Sequence, residues 1–281
     1  MAKAKPKAPL VGGREMGRVL ITGASAGIGA ELARVFAKHG HKLALVARSE
    51  DKLLALADEL KFEFGTDAIV IPADLGTAKG VAAMVAQLDK KKEEIDILVN
   101  NAGLLEVGAF CDTPTDDVMK LVNLNIAALT QLTSLLVPRM VERKFGRILN
   151  VASLAAFQPV PTMAVYAASK AFVLSLTEAL SEELRGTGVK ITALCPGLTD
   201  TAMVSGMKAR SATAASVPSL LVSDPKDVAR QGYSAVMAGR VIQVPGIPNQ
   251  VSAAWAQVTP RWLTRTLTGF ATRRADWAKR A

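Results

Sequence analysis

Two cysteines in 281 residues are too few for a disulfide framework. Cys195 closes an apolar run and reads as a small buried hydrophobe, while Cys111 falls in a loop. Histidine is equally scarce. His39 and His41 flank Gly40 at the end of a helical pattern, no metal-ligand spacing is visible, and no metal is expected. Aromatics make up 5% of the chain and are not interleaved with the basic N-terminal run, so no nucleic-acid partner is expected. The apolar stretches are short or broken by charge, which argues against a membrane-spanning helix, and the N-terminal residues lack the apolar core of a secretory leader. A Pro/Gly/Ser-rich linker is missing too. With half its residues hydrophobic and 21% charged, the chain suits one large core.

Present instead are short apolar runs alternating with longer helical patterns, the signature of a parallel sheet with helices on both faces. Strands are predicted at 18–21, 42–49, 68–71, 95–100, 147–152, 190–195 and 241–244. A helix is predicted from Asp224 and Pro225, an N-cap candidate followed by proline in the first turn. The fold class is therefore α/β, a Rossmann-like doubly wound sheet of about seven strands.

Ser153, Tyr166 and Lys170 are the residues from which a proton-transfer site can be built. Tyr166 and Lys170 stand four apart in an Ala-rich helical stretch, so their side chains share one face. An ammonium beside a phenol favours the phenolate, and the expectation is a Tyr166 pKa below the ordinary range. Ser153 follows the buried run 147–152, which brings its hydroxyl to the carboxyl edge of the sheet, where open α/β folds bind ligands.

The strand at 18–21 runs into Thr22-Gly23-Ala24-Ser25-Ala26-Gly27-Ile28-Gly29 and then a helix. Gly23 permits a tight turn, Gly27 lets the backbone approach a pyrophosphate, and Gly29 allows close helix packing, with the helix N-terminus favouring the phosphates. Beyond the second strand no acidic residue stands where it would bind an adenosine ribose. Arg48 and Ser49 follow the strand instead, with Ser25 on the glycine turn, and Glu50 and Asp51 suit the next helix start. Arg48 can pair with a 2′-phosphate, so NADP(H) is preferred over NAD(H).

These residues together resemble the short-chain dehydrogenase/reductase superfamily over about residues 17–245. Its pattern is met in order by Thr22 to Gly29, Asn100-Asn101-Ala102-Gly103, Asn125, Ser153, Tyr166 with Lys170, and Pro196-Gly197. The resemblance implies a carbonyl reductase or alcohol dehydrogenase with Asn125, Ser153, Tyr166 and Lys170 as the catalytic set. Tyr166 is then the general acid and base, Ser153 the partner of the carbonyl oxygen, and Lys170 the ligand of the nicotinamide ribose, linked to solvent through a water on Asn125. Counting back from 136–140 favours Asn125 over Asn123. The cofactor set implied is Thr22, Gly23, Ser25, Ala26, Gly27, Ile28, Gly29, Arg48, Ser49, Asp74, Leu75, Asn101, Ala102, Gly103, Tyr166, Lys170, Pro196, Gly197, Thr199 and Thr201. A cytoplasmic homodimer or homotetramer is expected, and a non-catalytic NADP(H) sensor on the same fold is the alternative.

The pocket walls expected from the sequence are 104–110, 154–161 and 203–221, all chiefly apolar, so a lipophilic ketone, aldehyde or 3-oxoacyl group is the implied substrate. Lys208 and Arg210 could meet an acidic head. Three segments result: a basic disordered tail 1–16, the sheet domain 17–246, and an extension 247–281. The formal charge of +9 belongs to the ends, residues 1–18 carrying +4 and 261–281 carrying +5. In the extension Trp255, Trp262, Leu263, Leu267, Phe270 and Trp277 mix with Arg261, Arg265, Arg273 and Arg274. Two fates stay open for it: packing on the body or a second subunit, and contact with an anionic membrane surface.

Overall fold

The computed structural model describes residues 10–11, 14–210 and 222–272. Residues 1–9, 12 and 13 of the expected tail, 211–221 of the expected pocket wall and 273–281, with Trp277, lie outside the described residues. Inside the segment expected to be disordered, β1 (Leu10–Val11) pairs antiparallel with β2 (Arg14–Glu15).

Seven parallel strands follow: β3 (Arg18–Thr22), β4 (Leu43–Ala47), β5 (Ala68–Pro72), β6 (Ile95–Asn100), β7 (Gly146–Val151), β8 (Val189–Leu194) and β9 (Ile242–Gln243). Their order across the sheet is β5-β4-β3-β6-β7-β8-β9. The chain winds outward from β3 in one direction, then returns to lay β6 on its other side. That reversal opens a crevice beyond the carboxyl ends of β3 and β6, the place such sheets bind ligands.

Strand alternation divides the core. Val19 and Ile21 of β3 meet Leu32 and Phe36 of α1 (Gly27–Lys38), Leu53 of α2 (Glu50–Phe64), and later Val228 and Val236. Leu20 faces the other layer, with Met84 of α3 (Ala78–Lys90) and Leu132, Leu136 and Met140. Because both faces are covered, the strands are chiefly apolar, as in Leu43–Ala47. Truncating a fully buried side chain such as Phe36 to alanine is expected to cost about 3–5 kcal/mol.

The second layer contains α4 (Thr115–Val122), a π-helical turn at Asn123–Ala128, and α5 (Leu129–Glu142), one continuous helical run. By length and composition this run, Thr115–Glu142, is apolar enough to cross a membrane, which corrects the expectation that no stretch would qualify. Asp116, Asp117 and Arg139 near its ends hid it. Its apolar side chains Leu121, Leu129, Leu132, Leu136 and Met140 are buried in the protein core.

After α6 (Ala164–Glu183), the chain forms β8 and α7 (Ala202–Arg210), then α8 (Pro225–Ala238). The α8 start is as expected: the Lys226 N–H donates to the Asp224 carboxylate at 2.8 Å, and Pro225 occupies the first turn. Two further helices close the described chain, α9 (Ile247–Val258) and α10 (Arg261–Thr272).

A buried polar ladder fixes the strand ends that carry the site. Asn100 donates to the Asn150 side-chain carbonyl at 2.9 Å and to the Thr133 hydroxyl at 3.2 Å. Asn150 donates in turn to Thr177 at 2.9 Å. The two threonine hydroxyls donate to the Leu129 and Val173 carbonyls, so β6 and β7 are tied to α5 and α6 in one network.

Candidate active site

Ser153 follows β7 with extended backbone and opens the 3-10 turn Leu154–Phe157. Its oxygen accepts the Ala155 N–H at 3.1 Å, which leaves the hydroxyl proton to be donated elsewhere. Its hydroxyl faces the phenol of Tyr166, two residues into α6. One turn later Lys170 is 5% exposed and donates from Nζ to the Val151 carbonyl at 2.8 Å, with its ammonium 5.7 Å from the Tyr166 ring centre. Two of its three N–H bonds are left for other acceptors.

Asn125 lies on the π-helical turn, whose wider spacing rotates it inward; it is 2% exposed, whereas Asn123 is exposed. Its side-chain carbonyl accepts the Leu104 N–H at 2.8 Å, and its amide donates to the Leu104 carbonyl at 2.9 Å and to Ser169 at 3.2 Å. Ser169 donates to the Tyr166 carbonyl at 2.7 Å. Sequence reasoning passed over Ser169, although it sits between Tyr166 and Lys170; a hydroxyl directly preceding that lysine was the available signal. A side chain on Gly103 would lie 3.3 Å from the Asn125 oxygen and 3.6 Å from the Lys170 nitrogen, so Gly103 borders the same space.

The electrostatics correct one expectation. Burial pushes the Tyr166 phenol above its ordinary 10, and only the Ser153 hydroxyl beside it opposes the rise. Lys170 does not reverse this, and burial lowers its own ammonium from 10.5 to about 8. Cys195, wholly buried behind the site, is pushed up to about 12 by burial and stays a neutral thiol.

On the other side of the crevice, Gly23 and Gly27 adopt φ of 65° and 57°, conformations that favour glycine. A side chain on Gly29 would stand 2.3 Å from the Gly23 carbonyl oxygen, so this glycine lets α1 seat against the turn itself. Thr22 and Asn101 brace that turn. The Thr22 hydroxyl donates to the Val99 carbonyl and accepts the Asn101 and Ala102 N–H groups at 3.0 Å each, and the Asn101 amide donates to the Thr22 and Gly23 carbonyls. Helix α1 begins after Ala26 with no side-chain cap and no acid in its first turn, an arrangement suited to an anion. The glycine cradle fits the pyrophosphate of a nicotinamide dinucleotide.

Arg48 is exposed just beyond β4, and Ser49 starts α2 without spending its hydroxyl on a cap. Glu50 and Asp51 lie in the first turn of α2, as expected. Leu75 is buried after β5, while Asp74 is exposed and accepts the Gly76 N–H at 2.9 Å. Across from the glycines, a side chain on Gly27 would be 3.2 Å from Thr201, which opens α7. Gly197, after Pro196, would strike Asn249 of α9 at 2.5 Å, and Thr199 is buried with its hydroxyl on the Gly197 carbonyl. Asn249 is a second neighbour missed in the sequence.

Two pocket walls are tied together, since the Gly108 N–H donates to the Thr162 carbonyl at 2.9 Å and Thr162 takes a left-handed φ of 66°. Cys111 is exposed in a 3-10 turn beyond the first wall. A separate cleft of about 250 Å³ beside Ile95, Arg139 and Arg143 opens at the amino edge of the sheet, away from Ser153. Its arginines are spent on Asp89, Asp96 and the Ile95 carbonyl.

Residues 17–212 match the family model described as short chain dehydrogenase. The ketoacyl reductase HetN of Nostoc sp. is 39% identical over 219 residues, 78% of this chain and 74% of that protein. Among solved structures, a short-chain dehydrogenase from Sphingobium yanoikuyae in complex with NADPH superposes with a TM-score of 0.77 at 33% identity, covering 91% of this chain and 94% of that one. The bulky-bulky ketone specific alcohol dehydrogenase from Comamonas testosteroni gives 0.73 at 31% identity, covering 92% and 94%.

Proposed function

Because the chain belongs to the short-chain dehydrogenase/reductase superfamily, an oxidoreductase family using nicotinamide cofactors, we propose that it is an NADP(H)-dependent carbonyl reductase or alcohol dehydrogenase for a lipophilic ketone, aldehyde or 3-oxoacyl group. The observation that carries this reading is the convergence of Ser153 and the Tyr166 phenol with a buried Lys170 and a clamped Asn125 at one sheet edge.

The glycine turn and the α1 N-terminus would hold the pyrophosphate. Arg48 with Ser25 and Ser49 would take a 2′-phosphate, Asp74 and Leu75 the adenine, and Lys170 the nicotinamide ribose. Pro196, Gly197, Thr199 and Thr201 would flank the nicotinamide. When bound, the nicotinamide supplies or accepts the hydride, which no side chain can do. Tyr166 gives its phenolic proton to the carbonyl oxygen in reduction and takes it back in oxidation. Ser153, held by Ala155 on its acceptor side, donates to the same oxygen. Burial keeps the phenol protonated near neutral pH, the form that reduction needs.

The half-buried lining, with Leu104, Leu105, Val107, Phe157 and Val160, favours an apolar substrate. The names of the Comamonas and Nostoc proteins point to bulky ketones and ketoacyl groups respectively. Self-association as a homodimer or homotetramer belongs to the same proposal.

The test is a titration of the purified protein with NADPH and NADH, followed by a panel of bulky ketones, aldehydes and 3-oxoacyl thioesters monitored by nicotinamide absorbance. Tighter NADPH binding with turnover on an apolar carbonyl supports the proposal. Failure to bind either nucleotide, or binding without turnover across the panel, overturns it.

A further inference from the structure

Helix α9 turns Ala253 and Ala256 inward, where they are buried and the helix abuts the turn Leu154–Phe157. Its opposite side carries Ile247, Val251, Trp255 and Val258, spaced four, four and three apart, and these are 75%, 65%, 63% and 79% exposed. Helix α10 also exposes Trp262 and Leu267. Scattered exposed hydrophobes are ordinary, but a four-residue stripe along one side of a helix marks an interaction surface. Of the two fates left open by the sequence, packing of this stripe on the body is not seen among the described residues.

Charge decides between the remaining partners. Residues 245–272 contain no aspartate or glutamate, and Arg261 and Arg265 stand on α10. Docking of two copies through this face would set the same acid-free surface against itself, with no carboxylate on the patch to meet either arginine. An anionic bilayer answers both features. Its acyl boundary accepts the stripe, its phosphates pair with the arginines, and tryptophan is favoured at the headgroup level. We infer that α9 and α10 dock this protein onto an anionic lipid bilayer. The inner side of α9 lines the turn that follows Ser153, so the docked surface backs one wall of the pocket. On the proposed function, a lipophilic substrate then has a short path from bilayer to Tyr166.

The experiment is co-sedimentation of the full chain with vesicles of phosphatidylcholine containing about one-third phosphatidylserine, and with phosphatidylcholine alone. Binding to the mixed vesicles on the order of tenfold stronger than to the neutral ones is expected, weakening with added salt. The double variant Val251→Glu/Trp255→Glu should lose at least about tenfold in vesicle binding, with NADPH titration as its folding control. Arg261→Gln/Arg265→Gln leaves the stripe intact and should erase the preference for the anionic vesicles. Sedimentation needs no turnover, so its outcome is independent of whether a substrate has been found. Absence of binding to either vesicle, or equal binding by the wild type and the glutamate variant, overturns the inference. A lipid-free oligomer that dissociates in the glutamate variant would assign the stripe to a second copy and overturn it as well.

Discussion

Lys170 is held at a cost that pH can expose. Its ammonium lies in the core with one hydrogen bond to the Val151 carbonyl, and burial lowers its pKa from 10.5 to about 8. In the unfolded chain the lysine keeps its proton up to 10.5, while in the folded protein it lets go near 8, so between these values the unfolded state binds more protons. Stability from this group therefore rises with pH across that window. At about 1.36 kcal/mol per pH unit the rise amounts to roughly 3 kcal/mol. Lys170→Met has no proton to lose, and the difference between wild type and variant cancels the titration of every other group. Urea unfolding of both proteins at a series of pH values reads it directly. The wild type should gain up to roughly 3 kcal/mol on the variant between pH 8 and 10.5, with turnover lower in the variant by about 100-fold or more. A difference that stays flat or falls with pH would refute the claim that the lysine is buried charged and unrelieved.

Arg48→Asp should weaken NADPH binding by about 10- to 100-fold, the worth of charge-assisted hydrogen bonds, and improve NADH binding; unchanged titrations would leave Arg48 merely solvated. Gly29→Ala places a methyl against the Gly23 carbonyl and the Asn101 amide, so unfolding free energy should drop by about 1–3 kcal/mol and dinucleotide affinity should fall with it, both read by chemical denaturation and titration. His41 is buried against Phe36 and Tyr233, and burial lowers its pKa from 6.5 to about 4. Its neutral form is favoured in the fold, so stability present above pH 6.5 should be lost as pH falls towards about 4, by up to roughly 3 kcal/mol, and His41→Leu should flatten that slope in acid unfolding curves.

The strands were legible because a sheet covered on both faces writes itself as near-continuous apolar runs, as in Leu43–Ala47. The glycine turn was legible because its φ values and its contacts with Asn101 and Gly23 admit nothing larger. Properties that depend on surroundings were not. The charge on Lys170 predicts a lowered Tyr166, but desolvation acts on both groups and is set by elements far apart in the chain. Asn150 sits inside an apolar run as an apparent interruption, and its purpose shows only when Asn100, Thr133 and Thr177 are brought beside it. The outward side of α9 was equally hidden, since periodicity marks a stripe but not whether the protein or its exterior receives it.

The central claim is that Tyr166 passes the proton, and Tyr166→Phe tests it most directly because it removes one oxygen and keeps the ring. With a carbonyl substrate from the panel, the variant should bind NADPH within about twofold of the wild type and lose turnover by about 100- to 10,000-fold. Turnover retained near the wild-type level, with the cofactor bound, would contradict the account.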